Sequence, residues 1–413
     1  MATAYTTRIV DPLITELVAE MPAVSLVGPR ASGKTTTASR HAATVVRLDR
    51  PDEAEAFRSA PDAVLRGLEE PVLLDEWQEA PEVLGAVKRS VDTDPRPGRY
   101  LLTGSVRAEL ETSTWPGTGR VIHVPMTGLT QREREGRAPD VPFIDRVVRA
   151  GAGLLRVPDE APDLRGYLDL ALTGSFPEPA LRLSGRGRQR WLAGYVAQLI
   201  TRDAPAADGV RDPERLRRFF EALALSTAGT VSETTLHRAA GVAPQTARSY
   251  EQLLRNLYVA EAVPAWFSNR LKRLGKTPKR YLVDPALVGA ATGLDTDSIL
   301  RDADLMGRLI DTFVVAQLRA ELPVSDYRPR LCHLRQDGGR REIDLLIELA
   351  GHRVIALEIK AGAAPKPNSA QHLAWLRDEL EDRFVHGLVL HTGPRMYELG
   401  ERITAVPVCA LWG

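Results

Sequence analysis

Cysteines and long apolar runs are scarce in this sequence, and each absence excludes a class of protein. Among the 413 residues only Cys332 and Cys409 are cysteines, too few for a disulfide framework or a zinc site built from cysteines. No stretch approaches the roughly 18 consecutive apolar residues of a membrane-spanning helix. The N-terminal segment carries Asp11, Glu16 and Glu20 instead of the basic-then-apolar pattern of a secretory signal. We therefore expect a cytoplasmic protein in a reducing compartment, with no membrane association.

Lysine is also rare, although the chain is rich in positive charge. Lys and Arg together number 54 and balance 54 Asp and Glu residues, so the formal net charge is zero. Only seven of these cations are lysines. Because an ammonium group is a compact point charge that the planar guanidinium does not reproduce, the position of each lysine is informative. The hydrophobic fraction of 44% is typical of globular proteins, and the length predicts two or three domains.

Short apolar runs and helical periodicity alternate through the first third of the chain. From residue 24 to about residue 125 the apolar runs are short and continuous, which is typical of buried parallel strands covered by helices. Residues 149–264 favour helices, and alternating strand character returns after residue 323. The pattern predicts an α/β protein with a mainly helical middle.

A glycine-rich segment follows the first apolar run. Residues 28–35 read Gly-Pro-Arg-Ala-Ser-Gly-Lys-Thr, a G-x-x-x-x-G-K-T pattern between a predicted strand and a predicted helix. Its glycines let the backbone approach a phosphate, and the N–H groups at the helix start point at the anion. Lys34 is expected to reach the β- and γ-phosphates, and Thr35 to ligate Mg²⁺. The sequence thus predicts a site for ATP and Mg²⁺ that is formed by Gly28, Pro29, Arg30, Ala31, Ser32, Gly33, Lys34, Thr35 and Thr36.

The next apolar runs end in polar side chains. One is followed directly by Asp75 and Glu76, and the other ends shortly before Ser105. A carboxylate after a strand can hold Mg²⁺, directly or through water, and its neighbour can polarise the attacking water; we assign these roles to Asp75 and Glu76. Ser105 is expected near the γ-phosphate or that water. Arg120 is a candidate cation for the developing charge, although a surface arginine fits its position as well.

These motifs resemble the AAA-type ATPases, in particular a bacterial and archaeal family whose C-terminal domain was long described as one of unknown function. The resemblance implies a P-loop ATPase with a restriction-endonuclease-like C-terminal domain, and relatives of this type often form rings. It lies in the 28–35 loop, in Leu74-Asp75-Glu76-Trp77-Gln78, in Leu102-Thr103-Gly104-Ser105, in Gly119-Arg120 before Pro125, and in Lys279-Arg280-Tyr281-Leu282-Val283-Asp284-Pro285.

The middle of the chain contains a helix-turn-helix candidate. Residues 235–240 and 244–255 are typical of two helices separated by a glycine turn. Gln245, Arg248 and Ser249 are predicted on the exposed face of the second helix. A plain helical hairpin fits the same pattern, and a true winged helix can bind protein instead of DNA.

The segment after this candidate carries cations without acids. Residues 269–280 hold six lysines and arginines and follow Trp266 and Phe267, a combination that suits nucleic-acid phosphates and stacked bases. Residues 182–202, around Trp191, form a second acid-free basic stretch. A single basic run is usually only a solvated surface. Two such runs in a protein with no net charge favour binding to nucleic acid. The sequence predicts contacts with nucleic acid, DNA in particular, from Arg270, Lys272, Arg273, Lys276, Lys279 and Arg280.

Two alternating stretches near the C-terminus carry acids. One contains Asp344, and the next contains Glu358 and Lys360, which share one face of a strand because they are two apart. Asp344 and Glu358 could hold one Mg²⁺, and Lys360 could activate the attacking water, as in the D…E-x-K constellation of endonuclease-like enzymes. Asp311, on the preceding predicted helix, supplies a further acid where the resembled family tends to have Glu. Such cores also persist as binding modules that do not cleave.

The predicted organisation has three parts. Residues 1–138 form an AAA-like parallel-sheet P-loop domain, residues 139–264 a helical region with a winged-helix candidate, and residues 265–413 an α/β endonuclease-like domain with a basic lead-in. The favoured function is a Mg²⁺-dependent ATPase that binds DNA, especially branched or structured DNA such as junctions, and couples hydrolysis to binding or remodelling. An ATP-gated metal-dependent nuclease, for defence or as a toxin, and an ATP-dependent protein-interaction switch stay open. The sequence is compatible with a homo-oligomer.

Overall fold

Strands and helices alternate along the N-terminal third of the computed structural model, which describes residues 5–105, 119–204, 212–267, 276–336 and 339–413. The helices of this part are α1 (Asp11–Glu20), α2 (Lys34–Ala38), α3 (Pro51–Ser59), α4 (Pro61–Arg66) and α5 (Glu82–Thr93). The strands are β1 (Ala23–Val27), β2 (Thr44–Arg47), β3 (Val72–Asp75), β4 (Tyr100–Gly104) and β5 (Val121–Pro125).

These five strands form one parallel sheet in the order β2-β3-β4-β1-β5. All residues of β1, β3 and β4 are buried, since helices cover the sheet and leave no polar face for alternation. The predicted α/β class with an N-terminal parallel sheet is confirmed. Because the strands are parallel, the segments that follow β1, β3 and β4 meet at one edge of the sheet.

Helices dominate the middle of the chain. They are α6 (Gln131–Arg134), α7 (Phe143–Ala150), α8 (Leu164–Thr173), α9 (Pro177–Leu181), α10 (Gly185–Gln198), α11 (Pro213–Leu225), α12 (Glu233–Ala240), α13 (Pro244–Asn256), α14 (Ala286–Thr292) and α15 (Thr296–Ile299). A π-helical turn, Leu199–Asp203, continues α10. Strands β6 (Ala260–Val263) and β7 (Lys279–Leu282) pair in antiparallel fashion after α13.

The helices α12 and α13 are the predicted helix pair, and local chemistry sets their ends. Ser232 precedes α12, and its hydroxyl accepts a hydrogen bond from the Thr235 N–H at 3.1 Å, which satisfies a donor at the helix start. Gly241 ends α12 with a φ of +65°, a left-handed conformation that favours glycine. Pro244 then begins α13 at a position where a missing N–H costs little.

The C-terminal part is a mixed sheet with two helices. The helices are α16 (Ala303–Glu321) and α17 (Gln371–Leu380), and the strands are β8 (Arg330–Gln336), β9 (Arg341–Glu348), β10 (Val354–Lys360), β11 (Phe384–His391), β12 (Tyr397–Gly400) and β13 (Ile403–Pro407). The strand order is β12-β13-β11-β10-β9-β8. Short 3-10 turns lie at Ser39–His41, Trp77–Glu79, Ala350–His352, Pro367–Ala370, Glu381–Arg383 and Val408–Leu411.

The hydrophobic packing joins the parts of the chain. One cluster of buried side chains runs from Phe143 in α7 to Trp412 and includes residues of the helical region and of the C-terminal sheet. Ala320 of α16 packs in the core of the N-terminal sheet. The two segments predicted as separate domains after residue 138 therefore share one core. Among the described residues, no helix combines the length and apolarity needed to cross a membrane.

Candidate nucleotide site and C-terminal acidic cluster

The glycine-rich loop connects β1 to α2, and its backbone path depends on two glycines. A Cβ atom at Gly28 would lie 2.1 Å from the carbonyl oxygen of Met126, so no larger residue fits there. Gly33 has a φ of +95°, a conformation that side chains disfavour. Both glycines of the sequence motif are therefore required by the shape of the loop.

Lys34 begins α2 and folds back over the loop. Its side chain is buried, and Nζ donates to the carbonyl oxygens of Gly28 at 3.0 Å and Pro29 at 2.8 Å. Burial lowers the pKa of Lys34 to about 8, while the charges of Glu76 and Asp75 act in the opposite direction. The amine thus lies inside the loop, where phosphate oxygens can replace the two carbonyl oxygens.

We expect nucleotide affinity to fall as the pH rises through about 8. Lys34 is charged only below its pKa of about 8, and the phosphates need the charged form. Above that pH, binding should therefore take up protons. Calorimetric titration with MgADP in two buffers of different ionisation enthalpy measures this uptake. Lys34→Arg keeps its charge in this range, so an equal uptake by that variant would contradict the assignment.

Asp75 ends β3 and lies beside Thr35. The hydroxyl of Thr35 donates to Asp75 Oδ1 at 2.7 Å, and the hydroxyl of Thr103 donates to the same oxygen at 2.5 Å. Asp75 is buried, with 4% of its surface exposed. Hydroxyl and carboxylate oxygens are the ligands that Mg²⁺ accepts beside phosphate oxygens. The structure thus brings together the two residues predicted to ligate Mg²⁺.

Glu76 is held by several neighbours at the same edge of the sheet. Its backbone has a φ of +54°, which is strained for a residue other than glycine. Its Oε2 accepts hydrogen bonds from Ser105 Oγ at 3.2 Å and from the side-chain amide of Gln78. Its N–H donates to Thr103 Oγ1 at 3.3 Å. Ser105, predicted near the γ-phosphate, therefore orients the carboxylate of Glu76.

A cleft of about 420 Å³ opens beside these side chains. Ser32 Oγ in the adjoining loop is buried and has no hydrogen-bond partner among the described residues. A nucleotide offers both acceptor oxygens and an apolar base, so these residues fit a nucleoside triphosphate with Mg²⁺. Its lining includes the polar side chains of Lys34, Thr35, Thr36 and Glu76 and the apolar side chains of Leu129, Pro177 and Leu181.

The side chains of Arg30 and Ala31, in the middle of the loop, have different surroundings. Arg30 extends away from the loop, and its Nη1 lies 3.3 Å from Asp203 Oδ1 in the π-helical turn after α10. Ala31 is exposed and has a φ of +60°. The side chain of Arg30 therefore contacts the helical region, and its main chain is the part that lies in the loop.

Arg8 donates a hydrogen bond to the backbone of the loop, a role that the sequence did not indicate. Its Nη1 donates to the Ser32 carbonyl at 2.9 Å, and its Nη2 donates to the Thr127 carbonyl at 2.7 Å. Its Nε pairs with Glu133 at 2.9 Å, and both side chains are nearly fully buried. In a chain with so many arginines, no local pattern distinguishes this buried one.

Arg120 lies at the opposite edge of the sheet from the phosphate loop. β5 runs parallel to β1, and its last residue, Pro125, pairs with Val27, where the loop begins. Arg120 precedes β5, so the length of the strand, about 13 Å, separates it from that edge. Its side chain forms an ion pair with Asp92. Arg120 is therefore about one strand length from the phosphate loop of its own chain, and its role at the developing charge stays a prediction.

Asp344 and Glu358 lie side by side on the antiparallel strands β9 and β10. Asp344 Oδ2 accepts a hydrogen bond from the Ile359 N–H at 2.9 Å, and Glu358 Oε1 accepts one from Lys360 Nζ at 2.6 Å. Burial, and then the charge of Asp344, raises the pKa of Glu358 to about 8. With Asp311 of α16 they form a group that we call the acidic cluster (Asp311, Asp344, Glu358).

Lys279, the first residue of β7, reaches into the acidic cluster. Its Nζ lies 2.5 Å from Asp311 Oδ2 and 3.5 Å from Asp344 Oδ1. Tyr281, two residues further on the same strand face, donates its hydroxyl to Asp311 Oδ1 at 3.0 Å. Burial raises the pKa of Asp311 to about 6, although Lys279 acts to lower it. In the part of the chain that the structure describes, no three His, Cys, Asp or Glu side chains are arranged to hold a metal ion.

The expectation that Lys279 and Arg280 contact nucleic acid is wrong, because both side chains are buried against acids. They are 5% and 4% exposed, and Arg280 Nε pairs with Glu251 of α13 at 3.0 Å. Lys276 is exposed, and its Nζ lies 5.5 Å from the centre of the Phe267 ring. The other predicted contacts fall outside the described residues: Arg270, Lys272 and Arg273.

The exposed face of α13 carries the three predicted side chains. Gln245, Arg248 and Ser249 are exposed, and Arg248 Nε lies 3.1 Å from Glu233 Oε2 of α12. The strands β6 and β7 follow α13, and residues 269–278 of the basic run lie between them in the chain. Helix pair, hairpin and basic connection are therefore consecutive in this protein.

Three segments of the chain match known protein families. Residues 20–135 match a family described as an AAA domain. Residues 164–298 match a domain of unknown function, DUF8612, and residues 306–411 match another, DUF4143. The first match spans the phosphate loop and β1 to β5, and it confirms the predicted resemblance to AAA-type P-loop ATPases over that part. Neither of the other descriptions names a nuclease or a nucleic-acid-binding fold.

Two mycobacterial proteins are similar over most of the chain. An uncharacterized protein of Mycobacterium tuberculosis and one of Mycobacterium bovis are each 29% identical over 395 residues, which is 94% of this chain and 80% of theirs. Among solved structures, a Walker-type ATPase of Pyrococcus abyssi has 14% identity and a TM-score of 0.38, covering 68% of this chain and 94% of its own. The similarity to the mycobacterial proteins extends well beyond the AAA segment.

Proposed function

We propose that the protein is a Mg²⁺-dependent ATPase that binds DNA and couples ATP hydrolysis to the binding or remodelling of that DNA. The observation that carries the ATPase part is the contact of the Thr35 hydroxyl with Asp75 at 2.7 Å, with Glu76 next to it. A hydroxyl and a carboxylate at this spacing suit Mg²⁺, and an oriented second carboxylate suits the attacking water.

Each residue of the site has a separate role in this proposal. Lys34 binds the β- and γ-phosphates and offsets their charge as the transferred group separates. Mg²⁺ held by Thr35 and Asp75 would neutralise further negative charge on the phosphates. Glu76 orients the attacking water and accepts its proton, with Ser105 fixing the carboxylate at 3.2 Å.

The cleft supports coupling between nucleotide and the helical region. Pro177 and Leu181 of α9 line it together with Lys34 and Thr35, so a bound nucleotide would contact both the sheet domain and the helices. Arg30 of the loop is also paired with Asp203. A change from ATP to ADP would therefore alter contacts on both sides of the cleft.

Three features support DNA as the ligand of the helical region. The helix pair α12–α13 is followed directly by the β6–β7 hairpin, which is the element order of a winged helix. Gln245 and Arg248 on exposed α13 offer a hydrogen-bonding amide and a cation. The connection between β6 and β7 carries four of the six cations of the basic run, and one of them, Lys276, is exposed.

Steady-state ATP hydrolysis with Mg²⁺ tests both parts of the proposal at once. Wild type should hydrolyse ATP alone and faster with one of three ligands: single-stranded, duplex or four-way-junction DNA. Lys34→Ala should lower turnover by about 100-fold or more, since it removes a cation from the phosphates, yet still shift the same DNA on a gel. Lys88→Ala, an exposed lysine of α5, is the matched control and should behave as wild type.

The outcomes separate the two parts. Normal turnover by Lys34→Ala would contradict the ATPase assignment. Turnover without stimulation or a gel shift, even at low salt where phosphate contacts are strongest, would contradict the DNA assignment and favour RNA or a protein partner. Arg248→Ala should weaken the gel shift without changing basal turnover.

A further inference from the structure

We propose that Lys279 is a resident cation that fills the acidic cluster (Asp311, Asp344, Glu358) and stands where a divalent metal ion would otherwise bind. The proposal concerns the C-terminal part alone and does not rest on the ATPase or DNA assignments. It assigns to this D…E-x-K arrangement a structural role in place of metal-dependent cleavage.

The contacts of Lys279 use all of its donors. An ammonium group carries three N–H bonds, and Nζ has three acceptors: Asp311 Oδ2 at 2.5 Å, the Asp344 carbonyl at 3.3 Å and Asp344 Oδ1 at 3.5 Å. Only 5% of the residue is exposed. The lysine thus bridges Asp311 and Asp344.

Strand geometry explains how the lysine comes to be there. Lys279 and Tyr281 are two apart on β7, so they share one face of the strand, and both contact Asp311. Arg280 faces the other way and pairs with Glu251 of the helical region. β7 therefore joins the helical region to the C-terminal sheet through two oppositely directed ion pairs.

The charges of the cluster leave little room for a divalent ion. Lys360 Nζ is bonded to Glu358 Oε1 at 2.6 Å, and Lys279 is bonded to Asp311, so two cations already face three carboxylates. An added divalent ion would lie next to both ammonium groups in a region of low dielectric, where repulsion is strong. Glu358 Oε2 is buried without a partner among the described residues, and it is the acceptor that remains for a cation once Lys279 is removed.

Mn²⁺ binding to the full-length protein tests this assignment without relying on activity. Lys279→Met keeps the length of the side chain and removes its charge, and it should bind one Mn²⁺ more than wild type, with at least about tenfold higher affinity at that site. Adding Asp344→Asn to Lys279→Met should abolish the gain. Lys276→Met, three residues earlier and exposed, should bind Mn²⁺ as wild type does.

Three results would overturn the proposal. One is a folded Lys279→Met protein that gains no Mn²⁺. The second is measured on a variant that keeps Lys279. Asp344→Asn alone should leave the number of bound Mn²⁺ ions unchanged. Loss of one ion would mean that the acidic cluster already holds a metal. This second measurement decides the question even where Lys279→Met fails to fold. Cleavage of DNA by wild type with Mn²⁺, lost in Asp344→Asn, would overturn it as well.

Discussion

Glu76→Gln is expected to lower the turnover number for ATP by about 100- to 10,000-fold, because glutamine cannot accept a proton from the attacking water. The amide keeps the size of the side chain, so it can stay beside Ser105 and Gln78, which contact the carboxylate in the native protein. Nucleotide affinity should change little, since Lys34 and the loop are untouched. Phosphate release and nucleotide binding, measured on one preparation, separate the two quantities.

Glu79 provides the matched control for this prediction. It lies three residues further along, in the 3-10 turn Trp77–Glu79, and is exposed. Glu79→Gln should leave turnover and affinity unchanged. If Glu76→Gln weakened ATP binding as much as it slowed turnover, the residue would belong to the binding of the ground state and not to the activation of water.

The second large effect is expected at a buried ion pair that joins the AAA segment to the C-terminal part. Arg132 of α6 donates from Nη1 to Glu321 Oε1 of α16 at 2.8 Å, and the two side chains are 5% and 6% exposed. Arg132→Ala leaves the Glu321 carboxylate buried without its cation, so we expect the free energy of unfolding to fall by about 3–5 kcal/mol. Urea unfolding followed by tryptophan fluorescence measures the change.

Two variants show whether the loss comes from the unpaired charge. Arg137→Ala breaks an exposed pair with Asp140, whose side chains are 35% and 50% exposed, and should cost less than about 1 kcal/mol. The double variant Arg132→Met with Glu321→Leu removes both charges and should recover most of the stability. A double variant as unstable as Arg132→Ala would place the loss in the hydrogen bonds from Arg132 to the carbonyls of Arg137, Ala138 and Asp140, which both variants lack.

The same short helix is connected to the phosphate loop through Arg8. Glu133 pairs with Arg8, which donates to the Ser32 carbonyl at 2.9 Å, while the N–H of Gln131 donates to Gln317 Oε1 of α16 at 2.8 Å. The helix α6 therefore lies between the loop and the longest helix of the C-terminal part. The effect of Arg132→Ala on nucleotide affinity, measured below its unfolding range, reports whether this link affects the site.

Part of the site was predictable because its determinants are local. The motif residues Gly28, Gly33, Lys34 and Thr35 lie within eight consecutive residues. A short segment between a strand and a helix has few possible backbone paths. Asp75 and Glu76 could be added because parallel strands bring their carboxyl ends to one edge of the sheet. The match of residues 20–135 to an AAA domain agrees with this interpretation.

Arg120 shows how strand direction limits a role that is inferred from a motif. It stands immediately before β5, and a residue that precedes a parallel strand lies at the edge opposite the phosphate loop. The motif makes it a candidate cation for the developing charge, while strand direction places it beside Asp92, away from the loop of its own chain. Strand polarity was therefore the better guide to its position.

The prediction that Lys279 and Arg280 contact nucleic acid was wrong because it did not account for burial. Counting cations over residues 269–280 treats each one as part of a surface, but the last two belong to β7, which is covered on both faces. Burial depends on residues such as Glu251 and Asp311, which are 29 and 32 positions away. No count within a short window contains that information.

The sequence by itself determined the phosphate loop, the parallel strands around it and the carboxylates that follow one of them, because each depends on neighbouring residues or on strand alternation. Only the tertiary structure decided which charges are paired inside. Three buried cations form ion pairs with partners that are distant in the chain: Arg8 with Glu133, Arg132 with Glu321, and Lys279 with Asp311. A buried charge needs such a partner to offset its lost hydration, and packing of the whole fold selects which residue provides it.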